Sequence, residues 1–491
     1  MTGVRRKRHD LSSVQAAVAA GHPATVEAGI EALSDGGSAA DAAVAASLAS
    51  CVAETVMTGL LGGGHAIYFD ASTGQARNLD CFVAVPGLGG ERKDVELLEL
   101  EIPFGTELVH YAVGIASCGV PGLSAGLGAL HEEHGRLPWP RLVEPALRLA
   151  REGVVFPPAH ASCLAMLAPV LTMNEGARIY SPGGELLQAG GRLEQPGLVR
   201  ALELVAEEGP RSAYEGTLAS SLLELMDERG GLVTPEDLRR CEATWSEPVE
   251  IAYAGTRFLS REGLSGVPAA FSGVPPLRGL EPAERALVLA RTLDGGRGVG
   301  HTTNLAVADA EGNACVLTSS LGLGSGDFLP GLDLHLNSML GETDLIHGRL
   351  EPGDRMGSMM APSVAVDADG LVLAAGAAGG TRLRGALLQV VAGILDEGLD
   401  PEAAVTRPRL HPAAGVVHLE PGFEPEVSTV LSAAGYEVRA WPSLHHYFGG
   451  VSLVGRVGSA GDPRRSGGAR ALVPGGAKTS PDTRTSGSPG W

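Results

Sequence analysis

Apolar residues recur at helical spacing near the start of the chain, over residues 24–35 (ATVEAGIEALSD) and 39–56 (AADAAVAASLASCVAETV). The pair Gly36-Gly37 ends the first pattern, and Ser38 is a suitable N-cap for the second. A glycine-rich loop at 59–64 then precedes an apolar run at 65–69, which predicts a strand. Further along, the pattern predicts helices over 140–230 and a strand, a glycine turn and a helix over 370–400.

The most informative pattern is GHTTNLAVADAEGNACVLTSS at 300–320, where two β-type runs flank a turn centred on Glu311. If the two strands pair symmetrically about Glu311, residue 302 lies opposite residue 320. The hydroxyls of Thr302 and Ser320 then face each other at the open end of the hairpin. A slip of one residue would reverse the faces, so the register is itself a prediction.

A hydroxyl at the start of a strand can attack the peptide bond that precedes it. An N→O acyl shift and hydrolysis of the ester then divide the chain, and Thr302 becomes an N-terminus whose α-amine can serve as base. Paired threonines are also simply common in strands. On the hairpin alone, the structural interpretation is favoured.

Composition narrows the class of protein. The 491 residues carry a formal net charge of −20, which argues against a nucleic-acid partner because phosphate binding needs a basic footprint. With 70 glycines and only 4% aromatic residues, the core must consist of small aliphatic side chains. The six cysteines form no C-x-x-C pair, and the basic stretch at 5–8 is followed by no apolar segment. We therefore expect a cytoplasmic protein with neither disulfides nor a membrane span.

Three further segments complete a recognisable set: LNSMLGE at 336–342, RMGSMMAPS at 355–363 and GAAGGTR at 376–382. In this order and spacing, with the Thr302-Thr303 hairpin and the glycine loop, the chain resembles the γ-glutamyltransferase (γ-glutamyltranspeptidase) family of N-terminal-nucleophile hydrolases, as a divergent member. The resemblance extends from about residue 19 to about residue 465. It implies an α+β fold, a four-layer αββα sandwich with two stacked, mainly antiparallel sheets.

The resemblance also implies that the chain cleaves itself between His301 and Thr302. Residues 1–301 then form a large chain, and residues 302–455 form a small catalytic chain. The remainder, 456–491, is rich in Gly, Ser, Pro and Arg and is expected from its composition to be a disordered tail.

Site residues follow from the matching positions. Thr302 corresponds to the nucleophile, Ser320 to a hydroxyl residue that supports the nucleophile's amine, and Ser358 to a serine near the substrate carboxylate. Gly379 and Gly380 correspond to the backbone amides that hold the oxyanion, since glycine allows amides to approach a developing charge closely. No metal or organic cofactor is expected.

Several substrate-contacting positions depart from the family pattern. Phe82 occupies the place of the arginine that clamps a substrate carboxylate, and a phenyl ring cannot make that bidentate bond. Met359 replaces a second serine, and Met339 replaces a polar side chain that contacts the substrate amine. Glu342 keeps an acidic group there. The sequence thus predicts a self-cleaving N-terminal-threonine amidohydrolase or acyltransferase for a γ-glutamyl or less polar acyl group, in the sphere of glutathione metabolism.

The expected partners are a small acyl or γ-glutamyl amide, water or an amino-acid acceptor, and the two chains of one precursor, without nucleic acid or membrane. Two alternatives remain open. The chain could be a catalytically silent relative that only binds ligand. It could also be a serine hydrolase using Ser124, since GLSAG at 122–126 matches the G-x-S-x-G elbow.

Overall fold

Two β-sheets stacked face to face form the centre of the molecule, and helices cover the outer face of each sheet. The structure, a computed structural model, describes residues 14–90, 95–104, 107–294 and 302–472. Apart from one parallel pair in a small sheet, the paired strands are antiparallel. The architecture confirms the α+β, four-layer αββα sandwich.

Helices make up the two outer layers. In the described part of the chain they are α1 (Pro23–Ser34), α2 (Ala39–Ala53), α3 (Leu123–His134), α4 (Trp139–Glu152), α5 (Pro158–Leu171), α6 (Gly176–Tyr180), α7 (Pro196–Glu208), α8 (Ser212–Glu215), α9 (Thr217–Arg229), α10 (Pro235–Arg240), α11 (Val267–Gly273), α12 (Pro282–Leu293), α13 (Arg382–Leu395), α14 (Pro401–Thr406) and α15 (Pro425–Ala433). Within the described ranges, none of these helices has the length and apolar character needed to cross a membrane.

Strands make up the two inner layers and several small peripheral sheets. They are β1 (Ala17–Ala20), β2 (Gly63–Asp70), β3 (Gln75–Cys81), β4 (Leu98–Phe104), β5 (Glu107–Val113), β6 (Val154–Val155), β7 (Arg192–Leu193), β8 (Thr244–Ser246), β9 (Val249–Tyr253), β10 (Thr256–Ser260), β11 (Thr303–Ala308), β12 (Ala314–Ser320), β13 (Phe328–Leu329), β14 (Leu334–His335), β15 (Ser363–Asp367), β16 (Gly370–Ala378), β17 (Leu410–Ala413), β18 (Val416–Leu419), β19 (Glu437–Ala440), β20 (Gly450–Gly455), β21 (Gly458–Gly461) and β22 (Gly468–Ala471).

The first central sheet has the strand order β22-β1-β11-β12-β2-β3-β8, and the second has the order β21-β20-β16-β15-β10-β9. Small side chains such as Ala306, Ala314 and Ala374 fill the space between the sheets. The sheets therefore lie close together, and β11 and β12 occupy the middle of the first sheet, against β16 and β20 of the second.

Local sequence signals account for the elements beside the glycine loop. Ser38 accepts a hydrogen bond from the Asp41 amide while the Asp41 carboxylate accepts one from the Ser38 amide, a reciprocal cap at the start of α2. The predicted hairpin register is confirmed, because Thr303 pairs with Ser319 and Asn304 with Thr318. Extended by one residue, that register places Thr302 opposite Ser320.

The expectation of a disordered tail is wrong for residues 456–472. These residues form β21 and β22, and β22 pairs with β1 at the edge of the first sheet. The composition was misleading because two of the arginines, Arg464 and Arg465, are buried. Arg464 bonds Glu420 and the carbonyl oxygens of Val405 and Arg407. A buried guanidinium is tolerated when each of its donors is used. Residues 473–491 lie outside the described residues.

We predict that Arg464→Ala lowers the free energy of unfolding by about 3–5 kcal/mol, because it leaves the buried Glu420 carboxylate without its cation. Urea unfolding measures the change. The control is Arg470→Ala, whose partner Glu27 is exposed, and it should cost less than about 1 kcal/mol. Equal, small effects of both substitutions would contradict the buried role of Arg464.

Candidate functional site

A cavity opens where β11 begins and where β12 and β16 end, and most of the residues singled out in the sequence line it. Its empty volume is about 360 Å³, including open solvent at the mouth. This front cavity is lined by Phe82, Thr302, Ser320, Met339, Glu342, Leu345, Ser358, Met359, Met360, Gly380 and Leu383. Gly379 is the neighbour of Gly380 but does not line the cavity, and His301 lies outside the described residues.

Thr302 sits immediately before β11 and is 5% exposed. Two residues further along, Asn304 accepts a hydrogen bond at Oδ1 from Thr318 Oγ1 (2.8 Å), and its carbonyl oxygen accepts one from Ser452 Oγ in the second sheet (3.1 Å). Gly376 faces Asn304, and a Cβ there would lie 2.0 Å from Asn304 Oδ1. The start of β11 is therefore held firmly against both sheets.

The turn at Gly379-Gly380 joins β16 to α13 and requires glycine. Both residues have positive φ, +131° and +57°, and a Cβ on Gly379 would lie 2.9 Å from the Cα of Gly449. The carbonyl oxygens of the pair accept hydrogen bonds from Arg382 and Leu383, so the turn leads directly into α13. The positive end of that helix dipole points toward the turn, which suits a developing oxyanion.

Part of the front cavity's wall is apolar. Phe82 is 1% exposed and stacks on His65, with ring centroids 5.5 Å apart. The Arg355 guanidinium donates a hydrogen bond to the Phe82 carbonyl oxygen and thereby holds the backbone at Phe82 in place. Together with Met339 and Met359, the ring forms a surface that offers no cation to a substrate carboxylate.

Glu342 is the one acidic residue of the front cavity. Its side chain is buried, and Oε1 has no hydrogen-bond partner within the described residues. Burial, with a smaller contribution from the charge of Asp344, raises the pKa of Glu342 to about 8. A carboxyl with this raised pKa is largely neutral at pH 7, and a bound cation would favour its ionised form.

The two predicted serines make local backbone contacts. Ser320 Oγ accepts a hydrogen bond from the amide of Gly322 (2.9 Å), and Ser358 Oγ accepts one from the amide of Met360 (3.2 Å). Both line the front cavity with Thr302. Their hydroxyls are thus oriented by the turns that follow them.

A second cavity, which the sequence did not predict, is also lined by Thr302. This rear chamber has an empty volume of about 300 Å³, open solvent included, and is mainly polar in its side chains. It is lined by Gly21, Glu54, Met57, His160, Thr302, Thr303, Asn304, Ala378, Gly450, Ser452, Asp462 and Arg465. The sequence did carry a signal for this cavity, because Glu54 is the only Asp, Glu, Lys or Arg between Asp41 and Asp70.

The sequence indicated Asn337 only as part of the LNSMLGE motif. In the structure, its side chain links three loops. Its Nδ2 donates to the carbonyl oxygens of Leu61 and Gly119 (2.9 Å each), and its Oδ1 accepts from the amides of Gly119 (2.9 Å) and Met339 (3.3 Å). The glycine loop and the segment carrying Met339 and Glu342 are thereby fixed relative to each other.

The backbone around Ser124 does not have the strand–turn–helix conformation of a nucleophile elbow. The strand before it, β5, ends at Val113, and a 3₁₀ turn at Ile115–Ser117 follows. Ser124 is buried, and its hydroxyl contacts the carbonyl oxygen of Leu60 at 3.4 Å. A sharp strand-to-helix turn that exposes the hydroxyl is therefore not formed here.

Comparisons with known proteins agree with the fold described above. A family model described as gamma-glutamyltranspeptidase matches residues 25–287 and 284–472. The Acylase ACY 1 proenzyme of Pseudomonas sp. (strain V22) is 28% identical over 511 residues and 89% of each chain. The glutathione hydrolase proenzyme of Escherichia coli (strain K12) is 26% identical, over 93% of this chain and 91% of the relative. The solved cephalosporin acylase from Bacillus halodurans shares the fold, with a TM-score of 0.79 at 22% identity over 96% of this chain and 99% of that one.

We predict that Glu342→Gln stabilises the fold more at pH 8.5 than at pH 5.5. The pKa of Glu342 is raised in the folded state, so the folded chain binds the proton more tightly and stability falls as pH rises from about 4.3 to about 8. The amide removes this loss, and the gain should be larger at pH 8.5 by roughly 3 kcal/mol. Urea unfolding at both pH values and one protein concentration tests this, with exposed Glu351→Gln as control. An equal gain at both pH values would be inconsistent with a raised pKa.

Proposed function

Because this chain belongs to the gamma-glutamyltranspeptidase family, a family of hydrolases and acyltransferases, we propose that it is a self-cleaving N-terminal-threonine amidohydrolase or acyltransferase. The proposed cut falls between His301 and Thr302. The observation that carries the proposal is the position of Thr302, which lines the front cavity at the start of β11 together with Ser320 and Gly380. The proenzyme names of the relatives support a cleaved precursor.

In the proposed turnover, the freed α-amine of Thr302 takes the proton from Oγ as Oγ attacks the acyl carbonyl carbon. The oxyanion is held by the amides of Gly379 and Gly380 at the positive end of α13. The proton then passes to the leaving amine, and a threonyl ester remains. Water or an amino-acid acceptor resolves this ester and restores Thr302. Ser320, opposite Thr302, supports the α-amine in this scheme.

The proposed acyl group is γ-glutamyl or a less polar relative of it. Phe82 and Met359 give the front cavity an apolar wall, and Ser358 contributes one hydroxyl. Glu342 can pair with a substrate ammonium, since a cation would stabilise its ionised form. A substrate carboxylate would meet neither a lysine nor an arginine among the residues that line this cavity.

Intact mass spectrometry of the denatured protein tests the nucleophile. We expect two fragments, beginning at residues 1 and 302, from the native sequence and a single uncut chain from Thr302→Ala. Ser124→Ala should be cut and active like the native protein. A single uncut native chain after long incubation at neutral pH would rule out the threonine mechanism, and loss of activity in Ser124→Ala alone would favour the elbow. Cleavage without turnover of any amide would favour a silent relative.

Four p-nitroanilides that differ in one group at a time test the acyl preference: γ-glutamyl, glutaryl, 4-aminobutanoyl and butanoyl. Glutaryl lacks the amine, 4-aminobutanoyl lacks the carboxylate, and butanoyl lacks both. We expect kcat/KM to be higher without the carboxylate, by roughly 10-fold or more for 4-aminobutanoyl over γ-glutamyl, because an unpaired charge beside Phe82 is costly. The reverse order would show that another group binds the carboxylate.

The Phe82→Arg variant should shift this order. A guanidinium at position 82 can bind a carboxylate bidentately, so kcat/KM for glutaryl relative to butanoyl should rise by roughly 10-fold. Phe82→Met, which keeps the wall apolar, is the matched control and should leave the ratio unchanged. If arginine and methionine have the same effect, position 82 does not set the preference.

A further inference from the structure

Self-cleavage cannot use the base proposed for turnover. In the precursor, the nitrogen of Thr302 belongs to a peptide bond, and its lone pair is delocalised into the carbonyl group. Another group must therefore accept the Oγ proton while Oγ attacks the carbonyl carbon that precedes Thr302. The identity of this group matters only if the proposed function holds, because only a self-cleaving chain needs it.

The rear chamber holds four titratable side chains, and three of them are poor proton acceptors. Burial lowers the pKa of His160 to about 3, aided by the charges of His22 and Arg465. Although burial opposes it, the charges of Arg409 and Arg464 lower the pKa of Asp462. Arg465 is a cation. Glu54 is the remaining candidate.

Glu54 follows α2 directly and is 1% exposed. One carboxylate oxygen accepts a hydrogen bond from Thr25 Oγ1 (2.6 Å), and the other accepts one from Thr303 Oγ1. Thr303 is the residue next to Thr302, so the carboxylate is attached to the nucleophile segment itself. Gly21 leaves the space for it, because a Cβ there would lie 2.5 Å from Glu54 Oε2.

We propose that Glu54 is the proton acceptor of self-cleavage, acting on Thr302 through a water molecule in the rear chamber. Eight of the twelve residues that line the chamber have polar side chains, so a water there has hydrogen-bond partners. Turnover and maturation then use different bases that act on the same threonine. The α-amine serves turnover, and Glu54 serves the single event that creates the α-amine.

The step balances in protons and bonds. The Oγ–H bond of Thr302 breaks as its proton passes through the water to the Glu54 carboxylate, and a bond forms between Oγ and the preceding carbonyl carbon. The C–N bond to Thr302 then breaks, and the nitrogen receives the proton back from Glu54. An ester on Oγ and a free α-amine result, and hydrolysis of the ester by a second water yields the carboxyl of the large chain.

The charges that face Glu54 define its pH dependence. Burial raises its pKa, while the hydrogen bonds from Thr25 and Thr303 and the charge of Arg465 oppose the rise. Cys51 of α2 is uncharged, because burial raises its pKa to about 12. On the other side of the chamber, Asp462 is paired with arginines, and His160 is neutral. A carboxyl with a raised pKa is a stronger base near neutral pH than an ordinary one.

The test follows cleavage of the freshly translated full-length chain after translation is stopped, over a range of pH. In the native sequence, the cleavage rate should fall on the acid side through a pKa above the ordinary range for glutamate. In Glu54→Gln, cleavage should be roughly 100-fold slower. The fall in rate at acid pH, which is the acid limb of the pH–rate profile, should be absent. A purely structural role would slow cleavage without removing the limb. Glu27→Gln, the same change at an exposed carboxylate, should cleave like the native chain.

Thr303→Ser and Thr303→Val provide a second arm that does not depend on the folding of Glu54→Gln. Serine keeps the hydrogen bond and should keep both the rate and the limb. Valine removes a hydrogen bond that lowers the pKa of Glu54, so the limb should move to higher pH and cleavage should slow. Native-rate cleavage in Glu54→Gln, or an unmoved limb in Thr303→Val, overturns the role of Glu54. If the native chain is never cut at Thr302, the proposed function itself fails.

Discussion

The close approach of the two central sheets is the constraint on which the rest of the structure depends. Alanine fills the gap at many positions, and at Gly376 even a Cβ would collide with Asn304. Such packing explains a chain with many glycines and few aromatic residues. It also fixes the start of β11 against β16 and β20, and therefore holds Thr302 beside the Gly379-Gly380 turn.

Thr302 lines two cavities whose side chains differ in polarity. The front cavity is walled by Phe82 and methionines and contains a carboxyl whose pKa is raised by burial, whereas the rear chamber contains Glu54 and the cation Arg465. In a buried site of low dielectric, the gain or loss of one hydrogen-bond or ion-pair partner shifts the pKa of a carboxyl strongly. The apolar side suits recognition of an acyl group, and the polar side suits the handling of protons.

The C-terminal segment connects this site to the stability of the fold. Asp462 accepts hydrogen bonds from Arg409 and from the Val451 amide, and it also lines the rear chamber. Arg464 and Arg465 follow it directly, one paired with Glu420 and the other facing the chamber. Residues that composition assigns to a solvated tail therefore form a wall of the site. Their burial depends on partners that are distant in sequence.

Local signals in the sequence were enough for the elements that depend on near neighbours. The Ser38 cap, the turn at Glu311 and the facing of residues 302 and 320 follow from residues at most eighteen positions apart, and the motifs were enough for the αββα architecture. The pairing of Arg464 with Glu420, the contact of Glu54 with Thr303 and the bridging by Asn337 join residues separated by 44 to 276 positions. Only the tertiary structure decided these, because whether a buried charge is tolerated depends on which partner the fold brings to it.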